Sequence, residues 1–189
     1  MAFLVIYDAS VLFPQSVRDL LIRLATTDLF QARWTEQILD EMVAAVVERY
    51  PDITLARMGR TRALMCEAVR DCLVTGYEPL IETVDLPDRD DRHVVAAALR
   101  CRAKVIVTQN IRDFPAETLE PLGIEAQTVD TFVSHLIDRA PNDILETVRR
   151  QAAALANPPM STTDVIERLE IAGLSDGARQ LRRLDALHE

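Results

Sequence analysis

Residues 3–7, Phe-Leu-Val-Ile-Tyr, form an unbroken apolar run that stops at an acid, Asp8, and is followed by Ala9-Ser10-Val11-Leu12-Phe13. The continuity of the run and its Val, Ile and Tyr content read as a buried strand. Asp8 then stands where that strand meets a loop bound for a helix. In open α/β sheets, ligands bind in the crevice beyond the carboxyl ends of the strands. An acid in that place is costly to keep unless it is paired or coordinated. A second run, Val105-Ile106-Val107-Thr108, leads in the same way into Asn110 and Asp113.

Around these two strands, helical and extended signals alternate. Residues 17–24 have a helical pattern with Ser16 as N-cap, and a short strand is expected around Ala32-Arg33-Trp34. Thr35 caps a helix carrying Ile38, Leu39, Met42, Val43 and Val46, which ends at Pro51. Residues 54–75 carry Leu64, Ala68 and Cys72 at helical spacing, with Gly76 as the stop. Residues 80–84 read as a short strand or extended connection, 94–99 as a buried helix, and 124–129 as a further strand. Strands and helices in alternation predict an α/β fold with a central parallel sheet and helices on both faces.

From residue 141 the texture is helical only. Pro141-Asn142-Asp143, Ser161 with Asp164, and Ser175-Asp176 each open a helix, separated by Asn157-Pro158-Pro159 and Gly173. The reading divides the chain into a main domain, 1–138, and a helical C-terminal extension, 141–189. An extension that short is expected to pack on the main domain or on a second subunit.

Composition restricts the partners. The 189 residues carry a net charge of −9, whereas proteins that hold phosphate backbones by bulk attraction are usually basic. Nucleic acid is therefore reachable only through a local basic rim or bound divalent cations that offset the acids. The apolar fraction of 49% is enough for a real core. Cys66, Cys72 and Cys101 lack metal-type spacing and read as reduced apolar side chains. No stretch is long and apolar enough to span a membrane, and the N-terminus lacks the basic region and cleavage pattern of a secretory signal. The expected compartment is the cytoplasm.

The acids define the candidate chemistry. Asp88, Asp90 and Asp91 open the helix over 94–99, and Glu41 lies one residue from the apolar row of its own helix, placed to face the crevice. Magnesium and manganese ions take oxygen ligands in octahedral array and keep several waters, so a few carboxylates at strand ends suffice. Such a site can activate water and neutralise charge on a phosphodiester. The candidates are Asp8, Glu41, Asp91 and Asp113, with Ser10, Thr108, Asn110, Asp88 and Asp90 as supporting polar neighbours. Taken singly, most have a plainer reading. Asp88 or Asp90 would be a helix cap, Glu41 a surface helix residue, and Asp113 a turn residue before Phe114-Pro115. Asp8 is the exception.

The order of these motifs resembles the PIN-domain family, and within it the toxin ribonucleases of the VapBC toxin–antitoxin class. The carrying segments are Val-Ile-Tyr-Asp8-Ala-Ser10, Ile-Leu-Asp-Glu41, Asp88-Arg-Asp-Asp91-Arg-His-Val-Val, and Val-Ile-Val-Thr108-Gln-Asn110-Ile-Arg-Asp113-Phe-Pro, within about residues 3–135. The family's first three acids fall on Asp8, Glu41 and Asp91. Its fourth position falls on Asn110, which departs from the all-acid pattern and leaves open whether Asp113 supplies the last carboxylate. The resemblance implies a PIN-like three-layer α/β/α fold. It implies a Mg2+- or Mn2+-dependent endoribonuclease acting on a structured RNA, with Asp8, Asp91 and Asp113 holding metal and Glu41 completing the catalytic set. It also implies a cognate antitoxin and a homodimer. The tail resembles the helical extension of one subgroup of these toxins.

Other residues carry less. His93, two positions after Asp91, points away from it on a helix and reads as a surface or packing histidine, and His135 and His188 read as solvated. Arg18, Arg92 and Arg112 lie near the crevice, where ion pairs with the surplus acids are the default and RNA phosphate is the sharper alternative for Arg92 and Arg112. Arg149, Arg150, Arg179, Arg182 and Arg183 give the tail a basic face, either solvated or an RNA-guiding rim. Two other function classes compete. An Asp-dependent phosphoryl-transfer domain would use Asp8 as acceptor, but Ser10 replaces the second Asp of a phosphatase, and Lys104, the one lysine, begins its strand rather than ending it. A non-catalytic binding module would use its acids only to hold a basic partner, and Asn110 favours it.

Overall fold

The two apolar runs lie side by side at the centre of a four-stranded, all-parallel sheet. A computed structural model describes residues 3–187. Strand β1 (Phe3–Tyr7) is followed by the single turn α1 (Ala9–Leu12), α2 (Gln15–Leu24), β2 (Phe30–Arg33), α3 (Glu36–Arg49) and α4 (Leu55–Ala68). Then come α5 (Arg92–Cys101), β3 (Val105–Val107), α6 (Ala116–Leu119), β4 (Glu125–Gln127) and α7 (Val129–Arg139). The chain closes with α8 (Pro141–Ala153), α9 (Thr162–Ile171) and α10 (Ser175–Ala186). The sheet order is β2-β1-β3-β4, so β1 pairs in register with β2 (Val5 with Ala32) and with β3 (Tyr7 with Val107). The carboxyl ends of β1 and β3, and with them Asp8 and Thr108, are therefore adjacent.

Helices cover both faces of the sheet, the three-layer arrangement expected. Tyr7 shows one face. Its ring stacks on Trp34 at 6.1 Å, meets Phe132 of α7 edge-on, and its hydroxyl donates to the Leu21 carbonyl of α2 at 3.1 Å. That phenol is fully buried, and burial without a charged partner pushes its pKa well up. Helix α5, with Val94 to Ala98 buried, packs on β1 and β3. Local chemistry starts α3 where expected: the Thr35 hydroxyl accepts from the Ile38 amide at 3.1 Å, satisfying one of the helix's unpaired N–H groups. Ser161 and Asp164 form a complete reciprocal capping box ahead of α9. Gly173, at φ +106°, makes the left-handed break between α9 and α10.

The tail shares the core of the rest. Ile144, Leu145 and Val148 of α8 are buried within one continuous apolar cluster that also contains Val17, Leu20 and Leu21 of α2. Gln151 donates to the Ser16 carbonyl at 2.9 Å, and Asp130 of α7 accepts from the Asp176 and Gly177 amides, capping α10.

Several local expectations are corrected. Ser16 is not the N-cap of α2; Pro14 is, and Ser16 lies in the first turn. The helix expected over 54–75 stops at Ala68, after which Val69 is extended. Its buried residues are Met58 and Met65, while Leu64 is 58% exposed, so the Leu64–Ala68 spacing marks the outer side. Cys72 belongs to the following segment, which runs alongside Trp34 through the Trp34 amide to Cys72 carbonyl bond. Residues 78–83 form a 3-10 helix rather than a strand, because Pro79 at its start has no amide to give a sheet. His135 is exposed, and His188 lies outside the described residues.

Candidate active site

Asp8 ends β1, is 4% exposed, and is held by three donors. The Ala9 amide donates to Oδ1 at 2.8 Å. The hydroxyls of Ser10 and Thr108 donate to Oδ2 at 2.5 and 2.8 Å. Those hydroxyls are themselves oriented from β3's end: the Gln109 amide donates to Ser10 Oγ, and the Asn110 amide to Thr108 Oγ1, each at 3.0 Å. The two strand ends are thus sewn together around one carboxylate, which is how a buried acid is kept without a cationic side chain.

Asp91 lies at the N-terminus of α5, yet its side chain makes no capping bond there. Its pKa is raised from the ordinary 3.8 to about 6. Burial is the first cause, followed by the negative charges of Asp8, Asp88 and Asp113, with His93 acting weakly in the opposite sense. Four acids separated by up to 105 positions in sequence therefore share one electrostatic environment. Asp88 is exposed, and its Oδ1 accepts from the Asp90 amide at 2.9 Å. Asp113 is partly buried at the end of the 3-10 turn over 111–113, which begins just after Asn110. Asp90 is exposed and is not among the charges that raise Asp91; the Asn110 side chain makes no capping bond.

Glu41 is tied to the start of α5 rather than to the other acids. It is not among the acids acting on Asp91; its Oε1 instead accepts from His93 Nε2 at 2.9 Å and from Gln37 Nε2 at 3.3 Å. His93 is buried, 2% exposed, rather than on the surface. Its bond to Glu41 and the support from Gln37 were not foreseen. The i, i+4 spacing of Gln37 and Glu41 was one available signal. Another was the place of His93 on a helix face continued by Ala96 and Ala97.

Most of these arginines are engaged with carbonyls or acids of the chain. Arg18 donates to the Leu12 and Phe13 carbonyls and closes the end of α1, and burial lowers its pKa. Arg92 is largely buried and lies 3.6 Å from Asp85. Arg112 is exposed. In the tail, Arg149, Arg150, Arg179 and Arg182 pair with Asp185, Glu146, Asp176 and Glu170.

The donor set suits a hard divalent cation in kind: every candidate ligand is a carboxylate oxygen, and Asp91 carries repulsion that a cation would relieve. Among the described residues, no three or more His, Cys, Asp or Glu side chains are gathered closely enough to enclose a metal ion. An ion held here would keep much of its water shell, as magnesium does.

Comparison with known proteins places the chain. The profile of the family described as PIN domain matches residues 5–112, more than half the chain, and that described as VapC50 C-terminal domain matches residues 129–183. The second match begins with α7, so it takes in that helix as well as α8 and α9 and most of α10. A Mycobacterium tuberculosis (strain ATCC 25618 / H37Rv) protein named "Putative ribonuclease VapC50" is 34% identical over 94 residues, 50% of this chain and 55% of that protein. The aligned segment thus spans about half the relative's length. No solved structure matches significantly. The chain belongs to the PIN-domain family and is VapC-like, with a C-terminal extension.

Proposed function

We propose that the protein is a divalent-metal-dependent endoribonuclease, the toxin of a type II toxin–antitoxin pair, that hydrolyses a phosphodiester of a structured RNA such as tRNA or rRNA. The observation that carries this reading is Asp91: an acid at a helix start, uncapped, raised to about 6 by burial and by Asp8, Asp88 and Asp113. Like charges brought together at strand ends favour a cation, and likeness to a protein named as a putative ribonuclease supports the reaction class.

Asp8, Asp91 and Asp113 would hold Mg2+ or Mn2+, with Glu41 at the edge of the set. The ion supplies a bound water of lowered pKa and positive charge against the phosphoryl oxygens. The chain's own residues do the rest. Ser10 and Thr108 fix the Asp8 carboxylate, so its oxygens do not rotate as substrate enters. Asp91, its pKa raised by burial and by its acidic neighbours, would be kept ionised by the cation it holds. Glu41, anchored through Oε1, keeps Oε2 for the site. Arg112, exposed beside Asp113, is the available side chain for an RNA phosphate; Arg92 is directed toward Asp85 instead.

The division at 1–138 and 141–189, a homodimer, a cytoplasmic location and a cognate antitoxin that occludes the acidic crevice belong to this reading. Among the described residues no helix is long and apolar enough to cross a membrane. The test is metal dependence. Purified chain, freed of any partner and stripped with chelator, should not cut RNA, and Mg2+ or Mn2+ should restore cutting. Cleavage unaffected by chelation would overturn the proposal.

A further inference from the structure

We propose that His93 is a positioning residue, whose buried imidazole anchors one oxygen of Glu41 and leaves the other open to the site. The inference rests on reading Asp8, Glu41, Asp91 and Asp113 as one metal-dependent centre. Glu41 projects from α3 with 41% of its side chain exposed. A glutamate so exposed samples many rotamers and presents no fixed oxygen. Here two donors meet on the same atom: His93 Nε2 at 2.9 Å and Gln37 Nε2 at 3.3 Å both reach Oε1. Gln37 is braced in turn, its Oε1 accepting from the Tyr77 hydroxyl at 3.4 Å. Oε2 receives neither donor and is the oxygen left for a cation.

The placement of His93 favours this role over packing. The same first turn of α5 carries Asp91 and His93, so one helix start sets two acids at once, one through its own backbone and one through the imidazole. To donate to a carboxylate, Nε2 must carry a proton. Nδ1 is buried without a partner. A purely space-filling residue at a 2% exposed position would be apolar and leave no orphan polar atom. Polar partners outside the ligand set that orient a ligand typically change metal affinity or activity about 10–100-fold when removed.

The test compares His93→Leu, His93→Gln and His93→Asn in the full chain. Three quantities are read: Mn2+ affinity of the chelator-stripped protein by calorimetry, RNA cleavage, and thermal unfolding without metal. His93→Leu should unfold as a folded protein does yet lose about 10–100-fold in Mn2+ affinity and in cleavage. His93→Gln, whose amide N–H takes the place of Nε2, should recover most of the loss, and His93→Asn, whose amide falls at Nδ1, should not. In a Glu41→Gln background, His93→Leu should add nothing further. The inference is overturned if His93→Leu binds Mn2+ like the parent, if Gln and Asn behave alike, or if the His93 and Glu41 losses simply multiply. The two readings fail separately. If Asp8→Asn weakens Mn2+ binding while His93→Leu does not, only the role of His93 is lost. If Asp8→Asn binds Mn2+ like the parent, the metal centre itself is wrong and the inference goes with it.

Discussion

Thr108 donates its hydroxyl to Asp8 Oδ2 at 2.8 Å across 100 positions of sequence, joining the ends of β3 and β1 at the carboxylate that opens the acidic site. The same oxygen of Thr108 accepts from the Asn110 amide, so a single hydroxyl orients both an acid and the turn that leads to Asp113. Thr108→Val keeps the shape and removes both bonds. A hydrogen bond to a charged group contributes about 1.5–3 kcal/mol, so the variant should be less stable by that order in urea unfolding. Its RNA cleavage should fall by about tenfold or more, because Asp8 loses an orienting donor.

The pH dependence of stability should carry the signature of Asp91. Its folded pKa, about 6, lies above the ordinary 3.8, so the native state holds the proton more tightly than the unfolded chain. Between about pH 4 and pH 6 the metal-free protein should therefore lose stability from this group as pH rises, and level off above pH 6. Asp91→Asn should remove that part of the slope. In the parent, Mn2+ affinity should rise through about pH 6 as the proton leaves, which calorimetry at several pH values reads directly.

Much of this site was legible in the sequence, because its strands are apolar runs and its acids stand at their ends. Asp8 and Thr108 follow β1 and β3 directly, and alternation of strand and helix is enough to bring such ends together. Caps at Thr35 and Ser161 were readable because they depend on three or four neighbouring residues. What escaped was set by distant partners. Helix α4 shows Leu64 to solvent and buries Met58 and Met65, so its apolar spacing pointed to the wrong side. The bond from His93 to Glu41 links residues 52 apart: each helix face hints at its own residue, but neither names the partner on the other helix. The tail's arginines look like a basic face in sequence, but their pairing with tail acids is a property of the folded helices.

Thr35→Ala should test how much of α3, and hence the placement of Glu41, depends on one cap. Thr35 is fully buried and its hydroxyl accepts from the Ile38 amide. Loss of such a cap costs about 1–2 kcal/mol. The denaturation midpoint should drop with the dependence on denaturant unchanged.

The C-terminal helices should unfold together with the sheet. Ile144 is fully buried in the cluster that contains the α2 side chains. Ile144→Ala should cost about 2–5 kcal/mol, and fluorescence of Trp34 and far-ultraviolet circular dichroism should report one coincident transition. Two separated transitions would show an extension that folds by itself.

The central claim is that acids from four separate segments act through a bound divalent ion, and it is tested most directly by RNA cleavage in Mn2+ by the parent, Asp8→Asn and Asp91→Asn, each purified free of partner and matched by circular dichroism. The account predicts that the parent cuts and that each variant, folded like the parent, loses more than about 100-fold in rate, beyond what removal of an orienting partner alone removes. Folded variants that cut as fast as the parent would contradict it.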